Sequence, residues 1–226
     1  MRLRSRGLVL GLAIAASGFF GVSPLRAADT ARVVEAVQKR YESTHSLKAR
    51  FEQRSYLKIM DQVQEARGEV LIQKPGKMKW TYQAPDPQVL VSNGDTLWFF
   101  LPEDNQATKM KIQSVYASNT PALFLAGRGK LTEAFNVGQV IEQESTYEIT
   151  LFPREAEQNV ERLVLVVDKK NYQIVGSSVY DKLGNRTEMR FTDIQVNPPL
   201  DAEEFVFHPP SGVEVIDFSA TQPGRD

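Results

Sequence analysis

Few residues in this chain of 226 could make or break a bond. Its two histidines, His45 and His208, stand alone, with no second His or Cys at metal-ligand spacing, and there is no cysteine at all. No H-E-x-x-H, G-x-S-x-G or Walker loop occurs. Gly127-Arg128-Gly129-Lys130 has the look of a phosphate loop, but Leu131 stands where Ser or Thr is needed and the leading spacing fails. Glu142, Glu144, Asp181 and Glu188 fall among turns and alternating strands, where they read as solvated faces rather than a paired acid and base. Met60, Met78, Met110 and Met189 are scattered like core filler. Asn185-Arg186-Thr187 fits a glycosylation sequon that reads as chance. No enzyme, cofactor or metal site is expected.

The N-terminus speaks of export. Arg2, Arg4 and Arg6 precede an apolar run over residues 7–20, Ser23-Pro24 breaks it, and Ala27-Ala28 supplies small residues for a peptidase. The run is shorter than the roughly 20 residues a membrane span requires. A cleavable signal peptide over residues 1–27 is expected, followed by one domain over residues 28–226. Without a cysteine there is no disulfide framework and no acylation point for a lipoprotein anchor, so the mature chain should be free in the periplasm. Losing Arg2, Arg4, Arg6 and Arg26, and no acid, moves the net charge from −1 to −5. That balance argues against a nucleic-acid partner.

The remaining residues must therefore be read for shape. Val33, Val34, Val37 and Tyr41 recur at helical spacing over residues 29–44, with Asp29 or Thr30 as candidate cap. Strands follow at residues 47–59, 63–74, 78–82, 88–92, 95–100, 137–143, 147–153, 160–167, 172–180 and 186–196. Thr120-Pro121-Ala122-Leu123-Phe124-Leu125-Ala126-Gly127 reads as a short helix with cap, first-turn proline and terminal glycine, and residues 130–135 as a further turn. Nine to eleven meandering strands with two helical segments suggest a sheet that closes into a barrel or curls partway.

Asn93-Gly94 is the strongest hairpin signal. Used as a two-residue loop, it sets Ser92 opposite Asp95, Val91 opposite Thr96, Leu90 opposite Leu97 and Val89 opposite Trp98. Leu90, Leu97 and Phe99 then share one face, while Val89, Val91, Trp98 and Phe100 share the other. Both are apolar, whereas a solvated antiparallel sheet needs only one such face. Either both faces are covered, or the concave one lines a cavity for an apolar ligand.

In order along the chain stand Phe51-x-Gln53, Gly68, Lys74-Pro75, Trp80, Tyr82-x-x-Pro85 and Val91-Ser92-Asn93-Gly94. Leu97-Trp98-Phe99-Phe100-x-Pro102, Gln106-Ala107-Thr108, Thr120-Pro121 with Leu123-Phe124-Leu125, and Phe207-x-Pro209-Pro210-x-Gly212 complete the series. In this pattern the chain resembles the periplasmic lipoprotein carriers of the LolA family. The resemblance implies an α+β fold, a strongly curved antiparallel sheet forming an unclosed half β-barrel with lid helices over an apolar cavity. It implies a chaperone that takes acylated lipoproteins from an inner-membrane ABC transporter and hands them to an outer-membrane lipoprotein receptor, working as a monomer. The same fold could instead carry or sense another acyl lipid. By the resemblance, Met78, Trp80, Tyr82, Leu90, Leu97 and Phe99 would line the cavity, with Trp98 and Phe100 as the opposite choice. Val34, Val37, Tyr41, Phe124 and Leu125 would form the lid. Lys74 stands where the family usually has an arginine latching the lid helices. Lysine keeps the charge but loses the fork geometry, so a single contact to a lid carbonyl is expected.

Overall fold

The computed structural model describes residues 26–112, 131–154 and 160–219. Helix α1, Ala27–Ser43, opens the described chain. Strands β1 (Ser46–Leu57), β2 (Gln62–Gln73), β3 (Lys77–Ala84), β4 (Gln88–Asn93), β5 (Thr96–Leu101) and β6 (Gln106–Lys111) follow. A one-turn helix α2, Leu131–Ala134, leads into β7 (Phe135–Glu142), β8 (Thr146–Pro153), β9 (Val160–Asp168), β10 (Ile174–Asp181) and β11 (Arg186–Val196). A 3-10 turn at Ala202–Phe205 and strand β12, Glu214–Asp217, end it.

All twelve strands form one sheet in the order β12-β6-β5-β4-β3-β2-β1-β11-β10-β9-β8-β7. Neighbours are antiparallel except β12, which runs parallel to β6. Since β7 and β12 are the two free edges, the curved sheet is unclosed. The sequence reading lacks β6 and β12; both are short, and β12 joins the sheet only through a partner about a hundred residues away.

The helix starts earlier than its sequence suggests. Arg26 occupies the cap position without a side-chain cap bond, so neither Asp29 nor Thr30 caps. Asp29 sits in the first turn, where the helix dipole favours an anion, and meets Arg32 at 3.1 Å. The expected helix over residues 120–127 lies outside the described residues, as does most of the expected signal peptide. The α-helices that lie wholly within the described residues are α1 and α2, the latter where a further turn over residues 130–135 is expected.

The β4–β5 hairpin corrects the expected register. Ser92 pairs with Leu97, Val91 with Trp98 and Leu90 with Phe99, so the loop is Gly94-Asp95. Asn93 Oδ1 accepts from the amides of Asp95 and Thr96, and Ser92 Oγ from that of Gly94. Gly94 takes φ +103°, a conformation that suits glycine at the first central turn position. The shift is an even number of residues, so each side chain keeps its face.

On the inner face, Phe51 of β1 stands between Gly68 of β2 and Phe191 of β11. Trp80 stands between Val70 and Leu90, and Met78 between Ile72 and Ser92. The same face continues through Met189, Ser177, Leu165, Ile149 and Val140 to the β7 edge. There α1 buries Val33, Val34, Val37 and Tyr41 against Ile149, Leu165 and Val167, worth about 1.5–3 kcal/mol per side chain.

The outer face answers the excess of apolar residues. The chain after β11 folds back over β3–β6, setting Phe207 5.3 Å, ring to ring, from both Trp98 and Phe100. Phe205 is 1% exposed, and Lys79 ties Glu204 down at 2.7 Å. Trp98, Phe100 and Val91 thus pack beneath a C-terminal strap on the face away from α1.

Candidate functional site

The site is the inner face and the helix over it. Alternation on β3 projects Met78, Trp80 and Tyr82 inward, and the β4–β5 pairing adds Leu90, Leu97 and Phe99 on the same side. All six proposed lining residues therefore share one face. Met78 and Trp80 are 1% exposed and Leu97 is buried, while Tyr82, Leu90 and Phe99 are half-buried. Phe51 knits the row, edge-on to Trp80 at 5.1 Å and to Tyr82 at 4.9 Å. Only glycine fits opposite it: a Cβ on Gly68 would lie 2.0 Å from the Thr81 carbonyl oxygen and 2.9 Å from the Phe51 ring.

Val34, Val37 and Tyr41 of the expected lid are buried under α1, whereas Phe124 and Leu125 lie outside the described residues. α2 is tied to the helix by the Leu131 amide, which donates to Gln38 Oε1 at 2.8 Å. Beneath the C-terminal half of α1 is an apolar cavity of about 30 Å³, bordered by Val37, Tyr41, Leu47, Ile72, Lys74 and Phe191. That is room for about one water.

A helix leaves its last four carbonyls without internal partners. Here Arg40 O is met locally by the Ser43 and Thr44 hydroxyls, and Tyr41 O by the Thr44 amide at 3.3 Å. Two partners reach in from elsewhere: Asn197 Nδ2 donates to Ser43 O at 3.0 Å, and Lys74 Nζ donates to Tyr41 O at 2.5 Å. The Lys74 ammonium also lies 3.3 Å from the centre of the Tyr41 ring. Burial lowers the Lys74 pKa to about 8, with the charge of Glu42 acting weakly against it. Lysine thus reaches one carbonyl and one ring face.

Toward the far end of β1 the inner face turns polar. Tyr82 Oη donates to Gln53 Oε1 at 3.2 Å, and Gln53 Nε2 donates to Ser55 Oγ at 3.2 Å. Burial pushes the Tyr82 hydroxyl up to about 12. The acids seen in the sequence serve locally: Glu142 pairs with Lys169, Glu188 with Arg186, and Asp181 accepts the Leu183 and Asn185 amides of its hairpin loop. His208 meets Glu203 at 2.9 Å, and the Gly127–Lys130 loop is outside the described residues.

The profile of the outer membrane lipoprotein carrier protein LolA family matches residues 42–208. A relative from Pseudomonas aeruginosa, an outer-membrane lipoprotein carrier protein, is 30% identical over 217 residues, spanning 96% of this chain and 99% of its own. The chain belongs to the LolA family. Another such carrier, from Chromohalobacter salexigens, is 33% identical over 195 residues, 85% of this chain and 90% of its own. A solved structure of an uncharacterized conserved protein from Thermus thermophilus shares the fold at 11% identity, with a TM-score of 0.53 over 84% of this chain and 99% of that chain.

Ile72, Val70 and Phe191 complete the inner face without having been singled out, together with Met189, read from the sequence only as core filler. The period-2 pattern of β2 and β11 was their signal, but a strand's own pattern cannot say which pole of the sheet it faces. Phe205 and Phe207 carried no periodic signal at all.

Proposed function

We propose that this protein is a periplasmic chaperone that shields the acyl chains of lipoproteins between an inner-membrane ABC transporter and an outer-membrane receptor. The observation that carries this is a largely apolar inner face with the long helix α1 packed over it, its C-terminal end held by Lys74 and Asn197. Leaving a bilayer exposes hydrocarbon at about 0.8 kcal/mol per CH₂, so three acyl chains in water would cost on the order of tens of kcal/mol. Met78, Trp80, Tyr82, Leu90, Leu97 and Phe99 replace the bilayer once α1 moves, with Val34, Val37 and Tyr41 turning from the sheet toward the hydrocarbon. Lys74 latches the empty form. The carrier makes and breaks no covalent bond, so the energy of loading comes from the donor, and the acidic mature domain over residues 28–226 works free of the membranes as a monomer.

Native mass spectra of the protein purified from its own periplasm test the proposal. One-to-one complexes with acylated lipoproteins are expected. Bound phospholipid or fatty acid without lipoprotein would replace this reading with a carrier of another acyl lipid.

A further inference from the structure

We propose that the inner face carries two hydrogen-bond donors for the carbonyl oxygens of acyl esters, Trp80 Nε1 and Ser177 Oγ. This rests on the carrier function proposed above and adds that the protein reads the linkage of its cargo as well as its hydrocarbon.

Both groups are anomalies where they stand. Trp80 is 1% exposed and Ser177 4% exposed, and neither polar atom has a hydrogen-bond partner among the described residues. Buried polar groups are normally satisfied, and an unmet one is costly to the fold. Polar neighbours on the same face follow that rule, for Tyr82, Gln53 and Ser55 satisfy one another. Phenylalanine at position 80 or alanine at 177 would give similar packing without an idle donor.

The register aims both groups inward. Trp80 lies between Val70 and Leu90, with its ring 6.3 Å from that of Phe191, which borders the cavity beneath α1. Ser177 lies between Met189 and Leu165, and Met189 is two residues from Phe191 on β11. The two donors therefore stand on either side of the Phe191 strand, in the region that opens when the helix lifts.

Their chemistry selects the partner. An indole N–H only donates, so it requires an acceptor. Hydrocarbon offers none, while each acyl chain of a diacylglyceryl group ends in an ester carbonyl. Chains seated among the apolar side chains bring those oxygens within the same apolar space, where a hydrogen bond discriminates best because the unpaired alternative is so unfavourable.

The test compares a synthetic lipopeptide bearing a dipalmitoylglyceryl cysteine with its dialkyl ether analogue, equal in hydrocarbon but without ester carbonyls. Wild-type protein should bind the ester about tenfold tighter, and Trp80→Phe and Ser177→Ala should each bring that ratio toward one. Equal affinities in the wild type would overturn the proposal and leave the donors to an internal water. So would a wild-type ratio that both variants retain. An ester preference found with a diacyl phospholipid and its ether analogue, but not with the lipopeptides, would overturn the assignment to lipoprotein cargo. If neither lipopeptide binds at all, it is the carrier function that fails, and this proposal falls with it.

Discussion

Lys74 holds Tyr41 twice, through its main-chain carbonyl oxygen at 2.5 Å and through its ring at 3.3 Å from the centroid. The first contact adds a second donor to a carbonyl otherwise met only by the Thr44 amide at 3.3 Å, and places a cation at the negative pole of the α1 dipole. Both exist only while α1 lies on the sheet. A contact made only in the closed state opposes whatever needs the open one. Lys74→Ala should therefore raise affinity for a lipopeptide roughly tenfold and slow its release, if the latch favours closure by about 1.4 kcal/mol. Binding and dissociation followed by tryptophan fluorescence check this, and unchanged acceptance and release would remove Lys74 from the gating.

Acid–base behaviour follows from the same contact. Lys74 has a pKa of about 8 in the closed form against 10.5 when solvated, chiefly through burial. Between pH 8 and 10.5 the closed protein thus binds fewer protons than the open or unfolded one. Raising the pH through that window stabilises the closed form, so Lys74 makes the fold more stable and cargo binding weaker, and below pH 8 its contribution is flat. Tyr82, pushed up to about 12, acts oppositely above about pH 10, where the folded state keeps a proton the unfolded state has lost. Lipopeptide titrations from about pH 7 to 10 should show affinity falling above about pH 8 in the wild type and level in Lys74→Arg, which stays charged throughout.

The outer strap is predicted to stabilise without touching cargo. Phe205 is 1% exposed, and its segment covers the face of Trp98 and Phe100 away from α1. Phe205→Ala should cost about 3 kcal/mol, read as a lower urea midpoint, with lipopeptide affinity below that midpoint unchanged. A loss of affinity in the folded variant would mean that the strap shapes the inner face as well.

The β4–β5 hairpin shows what was legible in the sequence and what was not. Alternation along residues 88–100 was plain, and so was its division of Leu90, Leu97 and Phe99 from Val89, Val91, Trp98 and Phe100. The turn itself was misplaced, because Asn93 serves its neighbours' amides through its side chain instead of entering the loop. An even slip left the faces intact, so the inner residues survived the error. Which face lies inward is relational: it depends on α1 packing on one side and on Phe205 and Phe207 returning to the other over about a hundred residues. No local period encodes that return. The Lys74 contact was legible as a cation at the latch position, but its second hold, on the Tyr41 ring, depends on the approach of α1 and appears only in the fold.

The central claim is that acyl chains take the space beneath α1 by lifting it. The chain has no cysteine, so Glu35→Cys on α1 and Lys48→Cys on the outer side of β1, both exposed positions, give two unique spin-label sites. Pulsed electron–electron resonance would then measure their separation with and without a triacylated lipopeptide. A shift to longer and broader distances on binding is predicted. The same distance distribution in a complex shown by mass to be one-to-one would contradict the account.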